Sequence, residues 1–182
     1  MDQSKKIIKN MFAEYSENHE FLIKNAQVGF ASDYKSQFSK MLLISTASYF
    51  ETRITELIKE IFRSEQCTLL NNFLEKKALS RQYHTLFNWN QGASGIKQFF
   101  GYLGKDFSNF VNDIERKDEK LSNSFSDFMQ IGSKRNALVH DNYATFNLDW
   151  TPEEIMTRFE SALYFTDTLL DTVALYRQQT KD

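Results

Sequence analysis

Apolar residues recur every three or four positions along most of this chain, which is the spacing of one face of an α-helix. The pattern predicts four long helices, over about residues 4–28, 33–65 and 118–139 and from 152 onward. The second of these carries the longest apolar stripe. Its members are Phe38, Met41, Leu42, Tyr49, Ile54, Leu57, Ile58 and Ile61. The stripe of the third helix consists of Leu121, Phe125, Phe128, Gly132 and Val139.

The residues that flank these stretches predict where helices begin and end. Gly29 is a plausible stop for the first helix, and Ser32 or Asp33 is a suitable cap for the second. The run Thr151-Pro152-Glu153-Glu154 combines an N-cap threonine, a proline at the first helical position and a glutamate at the third. This run is the strongest helix start in the sequence.

Between the second and third long helices the pattern breaks into shorter pieces. Thr68 and Ser80 are candidate caps for two short helices, and residues 91–95 form the clearest loop. We therefore predict an all-α fold, a four-to-five-helix bundle with a helical insertion at about 68–110 between the two long-helix pairs. A single domain would span 1–182, with an N-terminal helix at 4–28 and a core at 33–178.

Composition supports this prediction and narrows the functional classes. One proline and six glycines are too few for a turn-rich sheet protein, and 17 phenylalanines supply a bulky core, or a core plus an interface. A lone cysteine, Cys67, excludes a disulfide framework and favours a reducing, cytoplasmic location. No apolar run is long enough for a membrane span. A net charge of −2 argues against indiscriminate nucleic-acid binding.

One polar side chain lies where the pattern predicts an apolar one. Leu121, Phe128 and Arg135 are seven residues apart, so the guanidinium falls on a stripe that buries phenylalanine. A buried guanidinium needs a partner. Asn136 and His140, four apart, share a neighbouring face, whereas five residues separate Arg135 from His140 by about 140°. The alternative is an arginine that only complements the end of the helix dipole.

The order of Arg135, Asn136 and, four residues later, His140 resembles the signature of the HEPN superfamily of helical RNase and nucleotide-binding domains. In that signature an arginine is followed by a polar residue and then, after a short gap, by a histidine. The aromatic and acidic run at 48–51 on an earlier helix and the final amphipathic helix are also similar. The resemblance covers about residues 36–178, with 68–110 as an elaboration.

The resemblance implies a metal-independent endoribonuclease that acts as a homodimer without a cofactor or metal ion, in a toxin–antitoxin or antiviral defence system. His140 would move protons, Arg135 would hold the scissile phosphate, and Asn136 would orient the pair. Glu51 is a weaker candidate, as a partner for Arg135. Tyr143 is expected to pack or to form a dimer contact. RNA would be the substrate, and an antitoxin or defence protein the partner.

Two other functions are open. A non-catalytic helical dimer that docks a partner protein or a nucleotide would fit the near-neutral charge. In a third hypothesis a neighbouring nucleotidyltransferase modifies or masks the site, and adducts on Tyr143 would identify it by mass spectrometry.

If the chain is a toxic ribonuclease, its expression should arrest growth, and His140→Ala should relieve the arrest because the proton-transfer group is gone. Growth curves of cells that express the two proteins at equal levels measure the effect. Equal growth arrest by both proteins would contradict the assignment of His140.

Overall fold

The computed structural model describes residues 3–63, 68–79 and 83–180, and this part of the chain is helical with no strand. The predicted all-α fold class is therefore confirmed. Short π-helical and 3-10 segments lie between α3 and α4. The α-helices are α1 (Gln3–Lys24), α2 (Val28–Ile61), α3 (Thr68–Phe73), α4 (Lys97–Tyr102), α5 (Lys105–Glu115), α6 (Glu119–His140) and α7 (Pro152–Thr180).

The chain forms two compact units. The first comprises residues 1–49 and 131–160, and the second comprises residues 50–130 and 161–182. The long helices α2, α6 and α7 each contribute residues to both. The single domain over 1–182 stays a prediction.

Aromatic stacking holds the core of the first unit together. The ring of Tyr15 on α1 stacks on that of Phe38 on α2, with centroids 4.2 Å apart and planes 9° apart. Both side chains are buried, as are Leu42, Leu138 and Phe159 from α2, α6 and α7. Burial of rings and branched chains of this size contributes roughly 1.5–3 kcal/mol each. These contacts fix the rotation of each helix about its own axis.

Phenylalanines form the core of the second unit, in mostly tilted and edge-to-face contacts typical of aromatic pairs. The Phe128 ring has its centroid 5.0 Å from that of Phe87 and 5.1 Å from that of Phe165. The predicted core role is therefore confirmed for these phenylalanines, whereas Phe21, Phe30 and Phe73 are exposed. The fully buried members are Phe50, Phe99, Phe100, Phe125, Phe128 and Phe165.

A glycine is required at position 95 because the backbone there lies against that of Asn88. The amide of Asn88 donates to the carbonyl of Gly95 (3.2 Å), and a Cβ at Gly95 would collide with the carbonyl of Asn88 and press on Met129. The predicted loop at 91–95 is mostly 3-10 helix, within Trp89–Ile96, with Gly92 at a φ of +56°. Close approach, as much as flexibility, explains a glycine here.

The α1–α2 turn differs from the sequence prediction. Ala26, with a φ of +56°, adopts the left-handed conformation, and the amide of Gln27 donates to the carbonyl of Leu22 (2.9 Å). This bond closes α1 in the manner usual for glycine at the end of a helix. Gly29 lies within α2 instead, and α2 begins before the predicted Ser32 and Asp33 caps.

The helix start at Thr151 is confirmed. Its amide donates to Oε2 of Glu154 (2.8 Å), and its Oγ1 accepts a bond from the amide of Glu154 (3.2 Å). This reciprocal pair is a capping box. It fixes the point where the chain enters α7.

At the far end of the second unit, the last turns of α7 meet the end of α2. Nη2 of Arg177 donates to the carbonyl of Ile61, 2.9 Å away, and so caps the last turn of α2. The Tyr176 ring lies edge-on to the Phe107 ring, with centroids 5.2 Å apart. The two side chains also line a cavity of about 130 Å³.

Several detailed predictions were wrong. Met41 and Val139, expected on apolar stripes, are 45% and 52% exposed, and Leu138 is buried in place of Val139. The short helix expected to follow Ser80 is a single 3-10 turn over Tyr83–Thr85. The predicted end near Glu65, the Ser80 cap and Cys67 lie outside the described residues.

The hydroxyl of Tyr15 supports a stability prediction. It is buried with no hydrogen-bond partner in the described chain. Burial, and then the charges of Glu153 and Tyr34, raise its pKa to about 12. An unmet buried polar group destabilises the folded state. We expect Tyr15→Phe to unfold at equal or higher urea concentration than wild type at pH 7.

The same substitution should change the alkaline limb of the stability curve. The pKa of Tyr15 is higher in the folded state than in the unfolded state. The free energy of unfolding of wild type should therefore fall by on the order of 2 kcal/mol between pH 10 and 12 as this hydroxyl ionises. Tyr15→Phe should lack that decrease. The control Tyr102→Phe, which replaces a tyrosine that is 63% exposed, should retain it. Parallel alkaline curves for Tyr15→Phe and wild type would contradict this account.

Candidate functional site

The predicted motif lies on the last two turns of α6, within the first unit. Arg135 and Asn136 are both half-buried, and Nη1 of Arg135 donates to Oδ1 of Asn136 at 3.1 Å. The asparagine therefore restrains the guanidinium, whose planar donor fork suits phosphate oxygens. Arg135 has further interactions, so the bond to Asn136 is one part of its environment.

His140 is the final residue of α6 and is exposed to solvent. In the described chain its imidazole makes no hydrogen bond and no ion pair, with Arg135 or with any other residue. This agrees with the roughly 140° that five residues introduce around a helix. Within one copy of the chain, the two side chains lie on one helix end without touching.

A tight turn follows His140. The amide of Asp141 still donates to the carbonyl of Ala137 (3.0 Å), and Asn142 then reverses the chain. Its side-chain Oδ1 accepts a bond from the amide of Ala144 (3.1 Å), and its carbonyl accepts one from the amide of Phe146 (2.8 Å). An asparagine that bonds ahead to its own backbone is a common turn former.

A buried lysine on α2 contacts this turn. Lys40 is 3% exposed, and its Nζ donates to the carbonyl of Tyr143 (2.9 Å). The same ammonium lies 5.3 Å from the centroid of the Tyr143 ring. Tyr143 is 41% exposed, so one face of its ring lies toward Lys40 while part of the side chain meets solvent. This contact lies within the protomer, and the role of Tyr143 stays a prediction.

The other end of the α6–α7 connection is held by a charged and aromatic cluster. Nζ of Lys134 donates to Oδ1 of Asp149 (2.8 Å), and this hydrogen bond lowers the pKa of the Asp149 carboxyl. The Trp150 ring has Lys134 Nζ at 5.3 Å and the guanidinium carbon of Arg158 at 4.4 Å from its centroid. Cation–π contacts of this kind add about 0.5–1 kcal/mol at exposed sites.

Glu51 is half-buried on α2, in the second unit, where its carbonyl accepts a bond from Oγ1 of Thr55 (2.8 Å). Arg135 belongs to the first unit. The pairing of Glu51 with Arg135 stays a prediction.

Sequence reasoning missed Lys40, Lys134 and Trp150. A signal for Lys40 was present, because it lies three and seven residues before Leu43 and Ala47, on one buried face of α2. A lysine on such a face is as unusual as the arginine that drew attention to α6. The partner of Lys40, 103 residues away, left no local pattern.

The described residues contain no group of three or more histidine, cysteine or acidic side chains arranged to hold a metal ion. Among the described helices, none has the length and apolar character needed to cross a bilayer.

Fold and site together define an all-α domain whose penultimate long helix ends in an arginine, an asparagine and a histidine. A family model described as RiboL-PSP-HEPN matches residues 4–174, and the chain therefore belongs to the HEPN family. HEPN domains commonly bind RNA and function as dimers. Neither the curated proteins nor the solved structures contain a significant match to the chain.

The match also revises the extent of the resemblance. The sequence signature indicated residues 36–178, whereas the family model begins at residue 4 and so includes α1. Residues 68–110 lie within these bounds.

Proposed function

We propose that the protein is a metal-independent endoribonuclease of HEPN type, with Arg135, Asn136 and His140 at its active site. The observation that carries the proposal is the state of these side chains in a HEPN-family chain. The imidazole is exposed with no partner in the described chain, and the guanidinium is held by the asparagine. A histidine committed to the protomer's own structure would instead be buried and hydrogen-bonded.

The proposed reaction needs three functions. A base takes the proton from the 2′-hydroxyl, the 2′-oxygen attacks phosphorus, and the bond from phosphorus to the 5′-oxygen breaks as an acid protonates that oxygen. The products are a 2′,3′-cyclic phosphate and a 5′-hydroxyl. Histidine serves as base or acid near neutral pH, and arginine stabilises the charge on the equatorial phosphoryl oxygens.

One copy of the motif offers one histidine and one arginine, which is too few for an acid, a base and a phosphate clamp. A twofold axis places identical residues on both sides of a shared site. Three exposed apolar side chains support a dimer contact at this end of α6. Val139 adjoins His140 in sequence, Tyr143 follows it by three residues, and Met41 adjoins Lys40, which contacts Tyr143. We also propose that the protein acts in a toxin–antitoxin or antiviral defence system, as the family resemblance implies.

We expect the purified protein to cut labelled RNA in the presence of EDTA, and His140→Ala to reduce the rate by roughly 10²- to 10⁴-fold because an acid–base group is lost. His84→Ala, which also removes an exposed histidine, is the matched control and should cut like wild type. Gel electrophoresis of end-labelled fragments measures both the rate and the cyclic phosphate ends.

Equal cleavage by wild type and His140→Ala would indicate a contaminating nuclease and would refute the proposal. A protein that binds RNA or a partner with unchanged affinity in His140→Ala, and cuts nothing, would instead be a binding module.

If two protomers share one active site, cleavage activity should not fall in proportion to the fraction of His140→Ala in a mixture with wild type. If both histidines of a dimer are needed, equal amounts of wild type and His140→Ala, allowed to exchange subunits, should retain about a quarter of the activity of the same total of wild type. Only dimers with two intact copies would then be active. A retained activity of about one half would show that each protomer carries a complete site.

A further inference from the structure

Lys40 occupies an unfavourable position for a charged group. It is 97% buried, and its face of α2 continues with the buried residues Leu43 and Ala47. A buried ammonium destabilises the fold unless an opposite charge or several acceptors compensate for the lost water. Within the described residues Lys40 has no carboxylate at ion-pair distance. An apolar side chain of similar length would avoid that penalty.

The hydrogen bond and the cation–π contact of the Lys40 ammonium are both with Tyr143. The Tyr143 carbonyl accepts its hydrogen bond at 2.9 Å, and the Tyr143 ring presents its electron-rich face at 5.3 Å. The compensation for burying the charge therefore comes from the third residue after His140. Because the acceptor is a main-chain oxygen, the bond fixes the path of the backbone.

We propose that Lys40 is a positioning residue for the active site, one that anchors the main chain at Tyr143 and thereby orients the last turn of α6 and His140. The inference rests on the proposed function. It names a residue outside the motif that sets the motif's geometry.

The stretch of chain between Tyr143 and His140 is short, so it leaves little freedom of movement between the two residues. Three residues span at most about 11 Å, and here they are less extended because the amide of Asp141 is still bonded to Ala137. Beyond Tyr143, the turn bonds to Asn142 keep the segment compact. A shift at Tyr143 is therefore passed to His140. A misplacement of about 1 Å between reacting groups can lower a rate by about 100-fold.

Lys40→Met tests the anchor, because methionine keeps the length and helix propensity of lysine but cannot donate or carry charge. We expect kcat for RNA cleavage to fall by about 10- to 100-fold, with KM changed less than about 3-fold. Urea unfolding should show equal or higher stability. The control is Lys35→Met on the same helix, which removes a half-buried lysine whose Nζ lies 3.6 Å from Oε2 of Glu153 and should leave kcat unchanged.

The ring-proton NMR signals of the histidines provide a readout that needs no activity. In Lys40→Met the His140 signals should shift, while those of His19 and His84 serve as internal references. If wild type cuts no RNA, the proposed function fails, and these signals still decide whether Lys40 positions His140. Wild-type kcat together with unchanged His140 signals in Lys40→Met would overturn the inference.

A second variant leaves Lys40 in place. Two glycines inserted between Asp141 and Asn142 keep Lys40 bonded to Tyr143 but give His140 slack. This variant should show the same loss of kcat and the same displaced His140 signals, even if Lys40→Met does not fold. The same insertion between Asn147 and Leu148, beyond the turn, should behave like wild type. Full activity in the first insertion would refute the positioning role.

Discussion

The burial of Leu138 sets the geometry of the site. Leu138 is fully buried on the last turn of α6, and on a helix its burial determines which neighbours face outward. His140, two residues on, lies about 200° away and meets solvent. Arg135, three residues earlier, lies about 60° away and is half-buried. The burial of one apolar side chain thus leaves the imidazole open to solvent while keeping the guanidinium partly shielded from water.

The long helices and the motif could be predicted from sequence because both are local. The capping box at Thr151, the phenylalanine core and the order of Arg135, Asn136 and His140 depend on spacings of seven residues or fewer.

Val139 shows where this reasoning fails. It was placed on the apolar face by its seven-residue spacing from Gly132, a residue without a side chain to mark the face. The buried spacing runs instead from Ile131 to Leu138, also seven residues apart.

Features set by distant contacts could not be predicted. Lys40 contacts Tyr143, 103 residues away, and no sequence pattern near Tyr143 indicates that it binds a buried ammonium. The end of α1 shows a different difficulty. Ala26 adopts the left-handed conformation usually occupied by glycine, so the search for a glycine pointed to Gly29. In both cases the surrounding packing determines a local arrangement that the residue type does not favour.

The two lysines near the site have complementary effects on the α6–α7 connection. Lys40 holds its beginning at Tyr143, and Lys134, adjacent to Arg135, holds its end at Asp149. A connection held at both ends keeps a defined backbone path without regular secondary structure.

The bond from Arg177 to the carbonyl of Ile61 bears on where the domain ends. The family model stops at residue 174, before Tyr176 and Arg177. A chain trimmed to the matched residues would leave the last turn of α2 without this donor and would remove Tyr176 from the lining of the cavity. The limit of sequence similarity therefore lies before contacts on which the second unit depends. Those contacts extend to Arg177, three residues beyond residue 174.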